Sequence, residues 1–177
     1  ACAMAGMIAG CITVTGLASI LINAIVQAAG DATIIGLALT MICCIILGMG
    51  LPTTAAFIIT ATLCAPAIIE LGITPMGAYM FVFYYACLSA ITPPVALAAF
   101  AASGISGAKA MDTGLCATRL GLAGFLIPYF FCFTPAMLMQ GNLIDILQVC
   151  VTSLIGIYLL AGGLEGYMWR ILHKWER

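Results

Sequence analysis

Gly48-Met49-Gly50-Leu51-Pro52-Thr53-Thr54 interrupts an apolar run without charge that extends from residue 32 to residue 69. Two glycines and a proline favour a turn there, and the two hydroxyl residues can cap a helix that follows. As one straight helix the run would be about 57 Å long at about 1.5 Å per residue, against a bilayer hydrocarbon core of about 30 Å. It is too long for one crossing and tight for two plus a turn. The economical arrangement is a re-entrant hairpin over 32–70, with half-helices near 33–47 and 55–69 and its tip at 48–54. Irregular backbone at that depth must be buried in protein or face a water-filled cavity.

Composition sets the solvent. The 177 residues hold five Lys or Arg, six Asp or Glu and one His, and 65% of them are hydrophobic. Soluble domains are about a quarter charged, so the expected class is an all-α integral membrane protein, in contact with lipid. The net charge of −1 gives no basic footprint for nucleic acid. Of the nine cysteines none forms a CxxC pair, and those in apolar runs read as small buried residues. No basic region precedes the first apolar run and the chain opens on Ala1, which reads as a fragment rather than a signal peptide.

Charges also divide the chain. Before Lys109 the only Asp, Glu, Lys or Arg residues are Asp31 and Glu70. A charge in mid-membrane costs about 2.5–3.5 kcal/mol, so both acids should sit at interfaces rather than act as proton carriers. Residues 1–30 then form one transmembrane helix, mildly interrupted by Gly6, Gly10 and Gly16. A second break falls inside 77–105, a broken helix whose interruption is 89–94: the Pro93-Pro94 pair removes two backbone donors and pushes Thr92 out of the helical region. The helix should restart near Pro94, capped by Thr92 or Ser89. Residues 104–119 read as a cytoplasmic loop, 120–138 and 144–162 as further transmembrane helices, and 164–177 as an interfacial amphipathic helix with His173 on its polar face. Lys109 and Arg119 share a side with Arg170, Lys174 and Arg177, and the positive-inside tendency makes that side cytoplasmic. The hairpin would therefore enter from the periplasmic or extracellular side.

The two breaks are where chemistry is possible. Half-helix C-termini expose carbonyl oxygens to a cation, and half-helix N-termini expose amides to an anion. The candidate ligands of a sodium ion are Gly48, Gly50, Thr53, Ser89, Ala90 and Thr92, through backbone and hydroxyl oxygen. The candidate substrate contacts are Thr53, Thr54, Thr92, Pro93 and Pro94. Against this stands a bland reading, since Gly and Pro kinks often only adjust packing in membrane helices. Tyr79, Phe81, Phe83, Tyr84 and Tyr85 could line a path, although interfacial and lipid-facing rings are commoner. No Ser/His/Asp set, HExxH, P-loop or GxGxxG is present, so neither an enzyme nor an ATP-driven pump is expected, and no cofactor beyond the coupling ion. The residues leave three classes open: a secondary transporter, a channel with a re-entrant filter, or a structural membrane subunit.

GMGLPTT at Gly48–Thr54, LSAITPP at Leu88–Pro94 and VALAAFAASGISGA at Val95–Ala108 resemble the large membrane subunit of tripartite ATP-independent periplasmic (TRAP) transporters, in the fused-permease branch that works with TAXI-type binding proteins. TGLASIL at Thr15–Leu21, APAIIELGITP at Ala65–Pro75 and RLGLAGFLIPYFF at Arg119–Phe131 extend the resemblance. It implies a sodium-coupled importer of organic acids, commonly carboxylates, in the bacterial inner membrane, supplied by a periplasmic binding protein. It also implies an elevator mechanism and two inverted repeats, each with one hairpin and one broken helix. One of each is found here, as in a C-terminal repeat whose partners are the first repeat and the small-subunit region.

Overall fold

The computed structural model describes residues 2–30, 32–165, 167–168 and 170–171. Nine helices follow in order among them: α1 (Cys2–Val14), α2 (Leu17–Ala29), α3 (Thr33–Gly48), α4 (Thr53–Glu70), α5 (Pro75–Leu88), α6 (Leu97–Ser106), α7 (Ala110–Leu120), α8 (Leu122–Phe133) and α9 (Leu143–Glu165). Short 3-10 turns occupy Ser89–Ile91 and Pro135–Leu138. The fold is thus helical as the composition requires.

α4 is the central element and packs on α1, α2, α3 and α5. Its buried residues Ala56, Ile59, Thr60, Leu63, Cys64, Ala67 and Ile68 recur every three or four positions, the period of a helix with one strongly covered side. Thr60 is accommodated there because its hydroxyl donates to the Ala56 carbonyl at 2.7 Å, leaving no unsatisfied donor in the core. α5 contributes Ala78, Phe81, Val82, Tyr85 and Ala86. Phe81 and Tyr85 stack edge to face at 4.8 Å between ring centres, and Phe81 meets Tyr129 of α8 at 5.5 Å. The Tyr85 hydroxyl donates to the Phe125 carbonyl, so α5 and α8 are joined by rings and by a hydrogen bond. These two rings are therefore core rather than belt, whereas Tyr79 and Phe83 of the same helix are exposed.

α3 and α4 form an antiparallel hairpin. Gly36 faces Leu71, Gly48 faces Ala56, and the Cys64 thiol reaches Cys43 and Cys44 between them, so positions rise on one helix as they fall on the other. The turn is Met49–Pro52, with Gly50 at φ 77°, a left-handed conformation that glycine adopts at little cost. α4 is 18 residues long, enough to cross a bilayer by length and composition, and so longer than the half-helix the sequence suggested. α9 also qualifies over Leu143–Gly163, and α7 with α8 do so as a pair bent by 45°.

Several boundaries differ from the sequence expectations. The single helix over 1–30 divides at Thr15-Gly16, because Gly16 takes φ 71° and the Thr15 hydroxyl turns back to the Cys11 carbonyl at 2.8 Å. The loop expected over 104–119 is helical from Ala110. Asp112 in the first turn of α7 and Arg119 in its last place each charge where the helix dipole favours it. The helix expected over 120–138 stops at Phe133, since Pro135 disfavours a helical Thr134, which sits at φ −129°. The broken helix resumes at Leu97, not near Pro94.

In the expected interfacial helix over 164–177, the described part is the end of α9 and a two-residue antiparallel pairing of Tyr167–Met168 (β1) with Arg170–Ile171 (β2). Gly162 and Gly163 weaken the helix just before it. His173, Lys174 and Arg177 lie outside the described residues, as does Asp31. Among the cysteines, Cys44, Cys64 and Cys132 are buried as expected, while Cys11, Cys116 and Cys150 are exposed.

Candidate functional site

Both breaks form where prolines deprive carbonyls of their helical donors. In a helix a carbonyl is served by the amide three or four residues on. For Ala90 those two residues are Pro93 and Pro94, neither of which has an N–H. For Ser89 the second of them is Pro93, and for Ile91 the first is Pro94. The Ser89 carbonyl keeps only the Thr92 amide, at 3.4 Å. At the hairpin tip Pro52 has the same effect on Gly48, whose carbonyl keeps the Leu51 amide at 3.3 Å. Among the described residues no backbone amide bonds the carbonyls of Met49, Gly50, Leu51 or Ala90.

The fold brings the two breaks together. Gly48, the last residue of α3, is buried against Ser89, which is 1% exposed at the end of α5. A Cβ on Gly48 would stand 2.6 Å from Ser89 Oγ and 2.9 Å from Ser89 Cβ, so only glycine permits the approach. One turn further, Gly50 lies against Val95, where a Cβ would be 3.5 Å from Val95 Cγ1. Two helix C-termini, that of α3 and that of α5 with its 3-10 turn, therefore lie side by side. Each carries roughly half a negative elementary charge on its terminal carbonyls. Such a pair repels itself and attracts a cation.

The hydroxyls are arranged differently from the expectation. Ser89 Oγ donates to the Ala86 carbonyl at 2.7 Å, and Thr92 Oγ1 donates to the Leu88 carbonyl at 2.8 Å. Neither caps α6, whose N-cap Ala96 receives no side-chain bond. With their protons directed at carbonyls, both oxygens keep lone pairs and are left as acceptors, the character a hard cation requires. Thr53 and Thr54 stand on the exposed first turn of α4, behind N-cap Pro52, which itself has no side-chain cap bond. Pro93 is half-buried and Pro94 exposed, and the peptide between them is cis. Of the residues singled out in the sequence, the structure thus joins Gly48 with Ser89 directly, and Gly50 with the Thr92–Val95 turn through Val95.

A third partner of the site lies in α7. Gly114 faces Pro93, where a Cβ would be 3.4 Å from Pro93 Cγ, and Thr118 Oγ1 lies 3.1 Å from the Ile91 carbonyl. The sequence signal for α7 was available in its dipole-matched charges and in the small residues Gly114, Thr118 and Gly121 spaced as one helix side, but the charges had marked this stretch as a connection.

Residues 1–146 match the family model described as "Tripartite ATP-independent periplasmic transporter, DctM component". Neither a curated protein nor a solved structure matches the chain.

Proposed function

Because the chain belongs to the family of the tripartite ATP-independent periplasmic transporter DctM component, we propose that its paired breaks hold the coupling sodium ion and part of the organic-acid site of an importer's permease. A DctM component is a multi-pass inner-membrane transport protein and not an enzyme. In a tripartite system it works with a periplasmic binding protein and other permease subunits. Within that frame the binding protein is of the TAXI type, the permease is of the fused branch, and the solute is a carboxylate.

The observation that carries the reading is the approach of Gly48 to Ser89, which sets two carbonyl-bearing helix ends against each other. Carbonyls of Gly48, Gly50, Ser89 and Ala90 with the hydroxyl oxygens of Thr53 and Thr92 would supply the oxygen donors that a hard cation takes. The ion relieves the repulsion of the two helix ends. Its charge then favours an anion at the neighbouring N-termini of α4 and α6, where Thr53, Thr54, Thr92 and the Pro93-Pro94 turn are the candidate contacts. The hairpin would reach this depth from the periplasmic side, and the breaks would move as one unit in an elevator step.

The test is uptake by the intact transporter in proteoliposomes, using a labelled carboxylate that its binding protein retains. Sodium-driven uptake should fall at least tenfold in Thr53→Val and in Thr92→Val. Undiminished uptake in both variants would remove the site, and flux that never concentrates solute against a gradient would make the protein a channel.

A further inference from the structure

The double proline leaves the carbonyls of Ala90 and Ile91 without a backbone amide among the described residues, and the fold returns a donor to one of them. Ile91 O receives no backbone amide among the described residues. Thr118 of α7 lies 27 positions along the chain, yet its Oγ1 is 3.1 Å from Ile91 O. The same hydroxyl is 3.0 Å from Gly114 O, four residues back in its own helix. It has one proton for two acceptors. Gly114 O is placed to take the Thr118 amide in the ordinary helical pattern, whereas Ile91 O receives no backbone amide among the described residues, so the proton lowers the energy more at Ile91.

The approach is specific rather than incidental. Gly121, one turn beyond Thr118, faces the Ile91 side chain so closely that a Cβ there would fall 2.9 Å from Ile91 Cδ1. Gly114, one turn before, faces Pro93, Ala96 and Phe100. Three successive small positions of α7 thus let the helix lie directly on the turn, and the central one supplies a hydrogen bond.

We infer that Thr118 is a positioning residue of the cation site: by holding the Ile91 carbonyl it fixes the 3-10 turn and so aims the carbonyls of Ser89 and Ala90 beside Gly48. The inference rests on the sodium reading above. Removing the hydroxyl frees Ile91 O to compete for direction within the turn, and the neighbouring carbonyls lose their common aim. Thr118 itself does not touch the ion.

The test uses the intact transporter in detergent, with its melting temperature followed against sodium chloride and against choline chloride at equal ionic strength, because an ion at concentration c that binds only the folded state stabilises it by RT ln(1 + c/Kd), from which the dissociation constant is fitted. Thr118→Val, which keeps the shape and removes the hydroxyl, should raise the fitted sodium dissociation constant on the order of fivefold, the weight of one neutral hydrogen bond. Thr118→Ser, which keeps the hydroxyl, should stay within about twofold of the parent. A valine variant with the parent's sodium dissociation constant, whether or not its melting temperature in choline falls, overturns the inference and leaves the site standing. A serine variant that behaves as valine overturns it too. A parent protein with no sodium-specific stabilisation defeats the sodium reading itself, and the role of Thr118 falls with it.

Discussion

The hairpin tip and the broken-helix turn arise from the same chemistry and are held in opposite ways. At the tip, four residues from Met49 to Pro52 join α3 to α4 without a side-chain cap, and Gly50 and the threonines beyond it are exposed. At the broken helix, Ser89, Thr92 and Thr118 each donate a hydroxyl to a carbonyl of the turn or of the helix before it. One break is a thin edge that touches its neighbour through glycine; the other is a platform tied at three points. An ion bound between them would be met by one half tied by three hydroxyl bonds and by one half that touches its neighbour through glycine.

That contrast can be broken at its narrowest point. Gly48→Ala places a methyl within 3 Å of both Ser89 atoms, and overpacking of this kind costs typically about 1–3 kcal/mol. Sodium-driven uptake should fall by about tenfold or more, measured as initial rates in proteoliposomes. Next in size is Gly114→Leu, which drives a branched side chain into Pro93 and Phe100 and should lift α7 from the platform; melting temperature and sodium affinity should fall together. Gly50→Ala tests the tip alone. Its φ of 77° costs a non-glycine residue about 1–2 kcal/mol, while the space beside Val95 is adequate, so uptake should drop severalfold and the melting temperature should fall by a few degrees. Smallest is Tyr85→Phe, which loses one hydrogen bond to the Phe125 carbonyl, about 0.5–1.5 kcal/mol. It should lower the melting temperature slightly and leave the sodium response unchanged, because that bond ties α5 to α8 away from both breaks.

The sequence made the two breaks legible because proline acts locally: Pro52 and the Pro93-Pro94 pair remove donors whatever surrounds them. The hairpin's extent and α9 followed from length and charge. The site's assembly did not. That Gly48 meets Ser89, 41 positions away, depends on how α3 and α5 pack, and no periodicity within either helix records it. The hydroxyls of Ser89 and Thr92 looked like caps for the helix ahead, and tertiary geometry turned them back onto the helix behind. α7 was hidden by the scarcity of charge elsewhere, which made Lys109 and Arg119 look like the marks of a loop rich in Gly and Ser. Thr15-Gly16 was readable in principle, since a threonine that bonds backward followed by a glycine is a common helix end, but within an apolar run of 30 residues it resembled a tolerated kink.

The most direct measurement is a double-mutant cycle on the contact between the breaks, read as the sodium dissociation constant fitted from the rise of melting temperature with sodium in the parent, Gly48→Ala, Ser89→Gly and the double variant. Ser89→Gly removes the two atoms that the new methyl would meet. A site shared by the two helix ends predicts that Gly48→Ala weakens sodium binding strongly and that Ser89→Gly added to it restores most of the loss. Two effects that simply add, or an alanine at position 48 that binds sodium as the parent does, would contradict a common site.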